Sequence, residues 1–300
     1  MSTVPIQFFN RYTQNIETEA IYGEAYLRWA YENPLGRLSV EAVVKRMIFS
    51  HWYGWRMNLP KSRDRIQSFV ESFGLDANEF EKTLDEFDHF NDFFARKLKP
   101  SARPIAPEAD TVTFPADGRH LGFQDLSRVS GVFVKGQRFD LEALFHSQEL
   151  AQRYQKGSAV LSRLCPTDYH RFHFSTDGVP APSLRMPGPL YSVSPIALRQ
   201  NLAYLWQNKR ELTQIQSPGL GTVTIVEFGA TNVGSIKQTY SPNRAVSKGD
   251  EKGFFSFGGS ATMTFFEPER VELSPDLVEH SRLQREVYAR MGDVMGHKIA

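Results

Sequence analysis

The hydrophobic period of this chain changes near residue 99, which commits it to a fold with a helical part and a β-rich part. Up to about residue 98 apolar side chains recur at helical spacing. GEAYLRWAYENP stops near Pro34, and SRDRIQSFVESFGL closes on a glycine where a helix end is expected. In SVEAVVKRMIFSHWYGWRM the residues Val40, Val43, Val44, Met47, Ile48 and Trp52 form one stripe, with Lys45 and Arg46 off it. NEFEKTLDEFDHFNDFFARKL also reads as helical. Then Pro100, Pro104 and Pro107 break any helix. Short β-branched runs follow between Gly and Pro punctuation: TVTFPADG, GVFVKG, SAVLSRL, GTVTIVEFGAT and SATMTFFEP. A helix is expected over DLEALFHSQELAQRYQKG and another over SPDLVEHSRLQREVYARMGDVMG. The expectation is an α+β chain, with an N-terminal helical layer over 1–98 and a β-rich body over 99–300.

Composition removes several function classes. Lys+Arg 35 against Asp+Glu 34 leaves a net charge of +1, which argues against a nucleic-acid binder. Cys165 is the one cysteine, so no intrachain disulfide or cysteine-based zinc site is available, and it reads as a small buried hydrophobe. No secretory signal is read at the start and no apolar run long enough to span a bilayer, so a soluble or peripheral protein is expected. Twenty-three Phe serve either a core or a lipid interface.

Three segments carry residues suited to chemistry. RLCPTDYHRFHF places His170 and His173 three apart; on a helix they would share a face, but Pro166 and the Thr-Asp pair favour a turn. TFPADGRH puts Asp117 after a strand, either as a simple turn residue or as a carboxylate that orients a histidine. KGDEKGFFSFGGSATMTFF sets Gly258 and Gly259 before Ser260. Such a pair usually marks a bulge. It also leaves the Gly259 carbonyl unshielded from the Ser260 hydroxyl, the arrangement needed for an N-to-O acyl shift, β-elimination and conversion of the serine to a pyruvoyl group. Asp250 and Glu251 read as a solvated turn, and FGATNVGSIKQTY as two strands around a turn, since G-x-G-x-x-G is absent.

Together the segments resemble the phosphatidylserine decarboxylases, specifically the shorter bacterial type with a GGS cleavage motif. GEAYLRWAY, FNDFFARKLKPSARPI, FPADG, RLCPTDYHRFHF, YSVSPIAL, FGATNVGSI and KGDEKGFFSFGGS occur in the family's order, from about residue 9 to about residue 296. The resemblance implies a proenzyme that cuts itself between Gly259 and Ser260 into a β chain (1–259) and an α chain (260–300) headed by a pyruvoyl group. It implies that Asp117 orients His173, that His173 deprotonates Ser260, and that His170 serves substrate and decarboxylation. It implies phosphatidylserine as substrate, phosphatidylethanolamine and carbon dioxide as products, and neither a metal nor pyridoxal phosphate. A peripheral location on the cytoplasmic face of the cell membrane and a homodimer are further implications. A relative acting on a free aromatic amino acid is the alternative enzyme, and a non-catalytic lipid-binding protein the alternative of another class. Ala261 departs from the Thr or Ser that many relatives carry after the serine.

Overall fold

The computed structural model describes residues 5–21, 23–45, 52, 54–230, 236–256, 258 and 260–299. Sixteen strands among them form three sheets in an α+β arrangement. The large sheet contains β1 (Gln7–Asn10), β2 (Asn15–Thr18), β4 (Gly118–Phe123), β5 (Ser158–Leu164), β7 (Val179–Pro180), β8 (Leu184–Met186), β9 (Arg210–Ser217), β10 (Gly221–Phe228), β13 (Ser260–Phe266) and β15 (Glu286–Ala289). Its order is β2-β1-β15-β4-β5-β13-β10-β9-β7, with β8 also on β9. A second sheet has the order β11 (Ile236–Gln238), β12 (Glu251–Phe255), β6 (Arg171–His173). The third has the order β14 (Val271–Leu273), β16 (Val294–Lys298), β3 (Thr111–Thr113).

Alternating side chains of the central strands of the large sheet are buried on both faces. Ala159, Leu161, Val226, Phe228, Ala261, Met263 and Phe265 enter one core cluster, while Val160, Val223, Ile225 and Phe266 enter another. Ser260, Thr262 and Thr264 are the residues of β13 that alternate with the first set. A fully buried pair, Lys252 Nζ to Glu227 at 2.8 Å, ties β12 to β10 and so fixes the small sheet over the large one.

Several helical expectations fail for local reasons. Residues 7–10 and 15–18 form an antiparallel pair of strands, and β1 runs parallel to β15 from the far end of the chain. NEFEKTLDEFDHFNDFFARKL breaks into single 3-10 turns and the short helix Phe90–Phe94. Asp76, Thr83 and His89 each cap a new start there, and side chains that cap compete with helix continuation. Phe80, Phe87, Phe90, Phe93 and Phe94 all stay buried, so phenylalanine here serves a core. The segment 140–157 splits into Leu141–Phe145 and Gln148–Tyr154 at His146, which is left-handed with φ 50°. GVFVKG forms a tight loop with a lone Gly131–Lys135 bridge rather than a strand. In the last segment only Pro275–Arg282 is helical; after Gln284 (φ 57°) the chain turns into β15 and β16. The helices Glu24–Glu32 and Arg65–Phe73 form as expected, the latter ending on left-handed Gly74, while a further short helix, Pro34–Ser39, begins at the proline where the first was expected to stop. Of the amphipathic stripe, Arg46, Met47 and Ile48 and the side chains of Val43 and Val44 lie outside the described residues. Among the described residues, no helix is long and apolar enough to cross a membrane.

Candidate active site

Ser260 opens β13 between β5 and β10, facing Leu164 at the end of β5, and has no exposed surface. Just past Leu164 the chain turns at 165–168 and then runs extended through His170 into β6. In extended backbone two residues three apart point to opposite sides, so the two histidines separate. His170 Nδ1 lies 3.2 Å from Ser260 Oγ. His170 Nε2 lies 2.7 Å from the carbonyl oxygen of Cys165. A carbonyl oxygen only accepts, so Nε2 carries the proton and Nδ1 presents a lone pair to the serine hydroxyl. The Phe94 ring packs on the imidazole at 3.9 Å between centroids, which holds its plane.

His173 sits on the other side, stacked on Tyr169 at 5.7 Å. Its Nδ1 is buried without a hydrogen-bond partner. Its backbone N–H donates to Pro115 at 2.7 Å, beside the PADG segment. The charge of Asp117 acts on His173, but the Asp117 oxygens are taken by other groups. Arg103 Nε and Nη2 reach them at 2.9 and 2.6 Å, and the Met291 N–H donates to Oδ1 at 2.9 Å. The structure thus brings Ser260 together with His170. Among the described residues no hydrogen bond links Asp117 to His173 or His173 to Ser260. Gly259 lies outside the described residues. Gly258 is described and has φ 134°, a conformation open in practice to glycine alone.

Burial shapes the electrostatics. It pushes His170 down to about 3 and His173 to about 4, and the buried His120, bonded to Ser162 and Ala289, to about 3. All three imidazoles are therefore neutral near pH 7. An unfolded histidine titrates near 6.5, so below that pH the unfolded chain binds protons that the folded chain refuses. Stability is full above about pH 6.5 and falls as the pH drops toward 4, by at most about 1.4 kcal/mol per pH unit per histidine. The thermal midpoint of an uncut chain is expected to fall between pH 6.5 and 4.5. A midpoint that is flat over this window would contradict neutral buried imidazoles.

Ionic groups brace the histidine turn, and sequence reading passed them over. Asp168 accepts from Arg119 at 2.6 Å and from the Cys165 N–H at 2.6 Å. Arg163 binds Glu19 and Glu286 at 2.5 and 2.6 Å. Cys165 is no mere apolar filler: its Sγ accepts from Arg163 at 2.9 Å and donates to Glu19 at 3.1 Å, and burial raises the thiol well above its usual range. Glu251 is more than a solvated turn residue, since it receives Arg171 on both oxygens at 2.9 and 2.8 Å. Arg171 Nε in turn donates to the Ala95 carbonyl at 2.9 Å. Of the two strands expected in FGATNVGSIKQTY, β11 lies within it, β10 ends at its first residue, Phe228, and 231–235 lie outside the described residues.

Ser260 is thus a buried hydroxyl with a neutral imidazole in hydrogen-bond reach, the pairing of a nucleophile with a base. Known proteins show the family to which such a chain belongs. The family profile described as phosphatidylserine decarboxylase matches residues 90–297, a span holding Asp117, both histidines and Ser260. The chain belongs to the phosphatidylserine decarboxylase family. It is 44% identical to the phosphatidylserine decarboxylase proenzyme of Desulfitobacterium hafniense (strain Y51), over 97% of this chain and 98% of that protein. It is 41% identical to the proenzyme of the same name from Fusobacterium nucleatum, over 99% of each. With that of Clostridium perfringens (strain SM101 / Type A) it shares 40%, over 98% of this chain and all of the relative. These relatives are proenzymes by name, and the phosphatidylserine decarboxylase family is one of carboxy-lyases.

Proposed function

We propose that this chain cuts itself between Gly259 and Ser260 and then decarboxylates phosphatidylserine to phosphatidylethanolamine. The observation that carries the reading is the Ser260 hydroxyl facing the lone pair of His170 Nδ1 at 3.2 Å in a fully buried setting. In the first step the Ser260 oxygen bonds to the Gly259 carbonyl carbon and the peptide C–N bond breaks, leaving an ester; β-elimination then breaks the Cβ–O bond, and this cuts the chain and frees the Gly259 carboxylate. The hydroxyl proton passes to an imidazole and on to the departing nitrogen. In this geometry the receiving imidazole is His170. A second reading, implied by the family resemblance, gives that role to His173 oriented by Asp117. It is favoured by the buried, unpartnered Nδ1 of His173, a cost that a partner would remove. Cutting retained in His170→Asn but lost in His173→Asn would assign the proton to the second pair; the reverse assigns it to His170.

The residues present fit a pyruvoyl group made from Ser260. The serine is buried away from water, its strand is held on both sides, and an imidazole touches the side chain to be converted. A bound pyruvoyl supplies the electron sink for loss of carbon dioxide. The chain's own part is to position the lipid headgroup, to exclude water and to return a proton. His170 is placed for that return, because it is the side chain in contact with Ser260. Carbon dioxide release from phosphatidylserine vesicles, set against release from free aromatic amino acids, tests the substrate. Release from the amino acid alone would overturn the lipid reading.

A bilayer substrate requires a docking face, and the helical layer offers one on the cytoplasmic side of the membrane. Half of the large apolar side chains exposed among the described residues fall between 26 and 59: Tyr26, Trp29, Leu35, Leu38, Trp52, Trp55 and Leu59. Arg56 lies over the Trp52 ring at 5.1 Å, and Arg28, Arg37 and Lys45 accompany them in sequence. Indole rings with basic neighbours suit an anionic interface. Replacing Trp52 and Trp55 together by Ser is expected to weaken partitioning onto anionic vesicles roughly tenfold or more. Unchanged co-sedimentation would move the docking face elsewhere.

A further inference from the structure

A cavity of about 390 Å³ lies beside the histidine turn, walled by Arg96, Arg103, Arg119 and Arg290 together with Asp117 and Asp168. Two of these arginines are matched. Arg103 pairs with Asp117 at 2.6 Å and with Glu79 at 3.0 Å, and Arg119 pairs with Asp168 at 2.6 Å. Asp76, also on the wall, accepts from the Asn78 N–H and side-chain amide at 2.9 Å. The other two arginines have no carboxylate partner among the described residues. Arg96 is 4% exposed, and its Nε and Nη1 have no hydrogen-bond partner. Its Nη2 donates to the carbonyls of Thr167 and Asp168 at 3.3 and 3.2 Å, and its plane sits over Phe80 and Phe93. Arg290 is exposed, lying over the Tyr12 ring at 5.0 Å.

A buried guanidinium without an ion-pair partner is costly, and burial pushes Arg96 down to about 10 although the charges of Asp117 and Asp168 oppose the shift. An entering anion would relieve that cost, and its chemistry can be argued. A carboxylate that is about to leave as carbon dioxide gains nothing from an arginine clamp, because stabilising it favours the reactant over the transition state. A phosphodiester keeps its charge throughout, and guanidinium matches its oxygens in pairs. We propose that this cavity is a phosphate-ester subsite, with the buried Arg96 and the exposed Arg290 as its two binding cations. Phe73, Leu75 and Leu98 on the same wall would face the apolar remainder of the lipid headgroup region. The proposal rests on the decarboxylase reading above and names the part of the substrate held away from the reacting centre.

The test is steady-state turnover of a short-chain phosphatidylserine in neutral detergent micelles, with inorganic phosphate and glycerophosphoserine as competitors. Arg96→Gln should raise KM about tenfold or more, the size expected for losing hydrogen bonds to a charged group. Arg290→Gln should raise KM several-fold with kcat retained, and glycerophosphoserine should compete less well against both variants. Should Arg96→Gln fail to fold or to cut itself, the Arg290→Gln result decides. Unchanged KM in Arg290→Gln and in a folded Arg96→Gln overturns the subsite. Competition by inorganic phosphate that both variants lose, with the lipid KM unmoved, marks a free-phosphate site and overturns the headgroup assignment. A wild-type protein that releases no carbon dioxide from phosphatidylserine refutes the decarboxylase reading instead.

Discussion

Ser260→Ala is expected to give one uncut chain of full mass that releases no carbon dioxide from phosphatidylserine. The hydroxyl is the nucleophile of the first step and its oxygen the leaving atom of the elimination that turns the serine's carbons into the pyruvoyl group, so no other residue can substitute for it. The fold should survive. The hydroxyl partners a neutral imidazole, and losing one such bond costs about 1 kcal/mol. Intact-mass analysis under denaturing conditions separates the outcomes. Wild type should yield one fragment ending at Gly259 and another beginning with the mass of a pyruvoyl. A variant that stays whole yet still turns over lipid would sink the mechanism at its first step.

His170→Asn should lower decarboxylation, counted per cut molecule, by about a hundredfold or more, the usual worth of a positioned acid or base. Counting per cut molecule matters because the same imidazole touches Ser260 before the cut. A merely structural loss would lower the thermal midpoint and leave the turnover of each surviving molecule intact. The variant also forfeits the Phe94 stacking contact, so some stability loss is expected with the chemical one. Turnover within a few-fold of wild type would remove His170 from the chemistry and leave His173 as the proton donor.

How much of this was legible beforehand depends on whether the deciding contact is local. Short β-branched runs between Gly and Pro announced β5, β10 and β13 as strands, and the structure buries these strands on both faces. Gly74 announced a helix end for the same local reason. The stretch between Asn78 and Leu98 misled, because its phenylalanines recur at a spacing that also fills a core from separate turns, and caps at Thr83 and His89 decided the matter. Around the histidines, pattern gave the residue types and left the pairing open. That Ser260 meets His170 follows from the register of β13 on β5 and from a carbonyl at Cys165, neither of which leaves a mark in a single sequence. The Asp117–Arg103 pair was hidden in another way. Arg103 lies in the segment SARPI, read for its prolines and for family likeness, while its charge went unassigned.

The short piece after Ser260 is threaded through every part of the β structure except the small sheet. It supplies β13 between β5 and β10, β15 between β1 and β4, and β16 between β14 and β3. Breaking one peptide bond therefore releases nothing; it converts a single folding unit into two molecules that hold each other by sheet hydrogen bonds and a shared core. Assembly had to come first, since forty-odd residues alone could not hold β13, β14, β15 and β16 in place without their neighbours. Unfolding before the cut is reversible in principle, but after it the halves diffuse apart and recovery depends on concentration. Maturation in this architecture works as a ratchet: the chain spends its ability to refold at the moment it gains its chemistry, and from then on its lifetime is set by how slowly it comes apart.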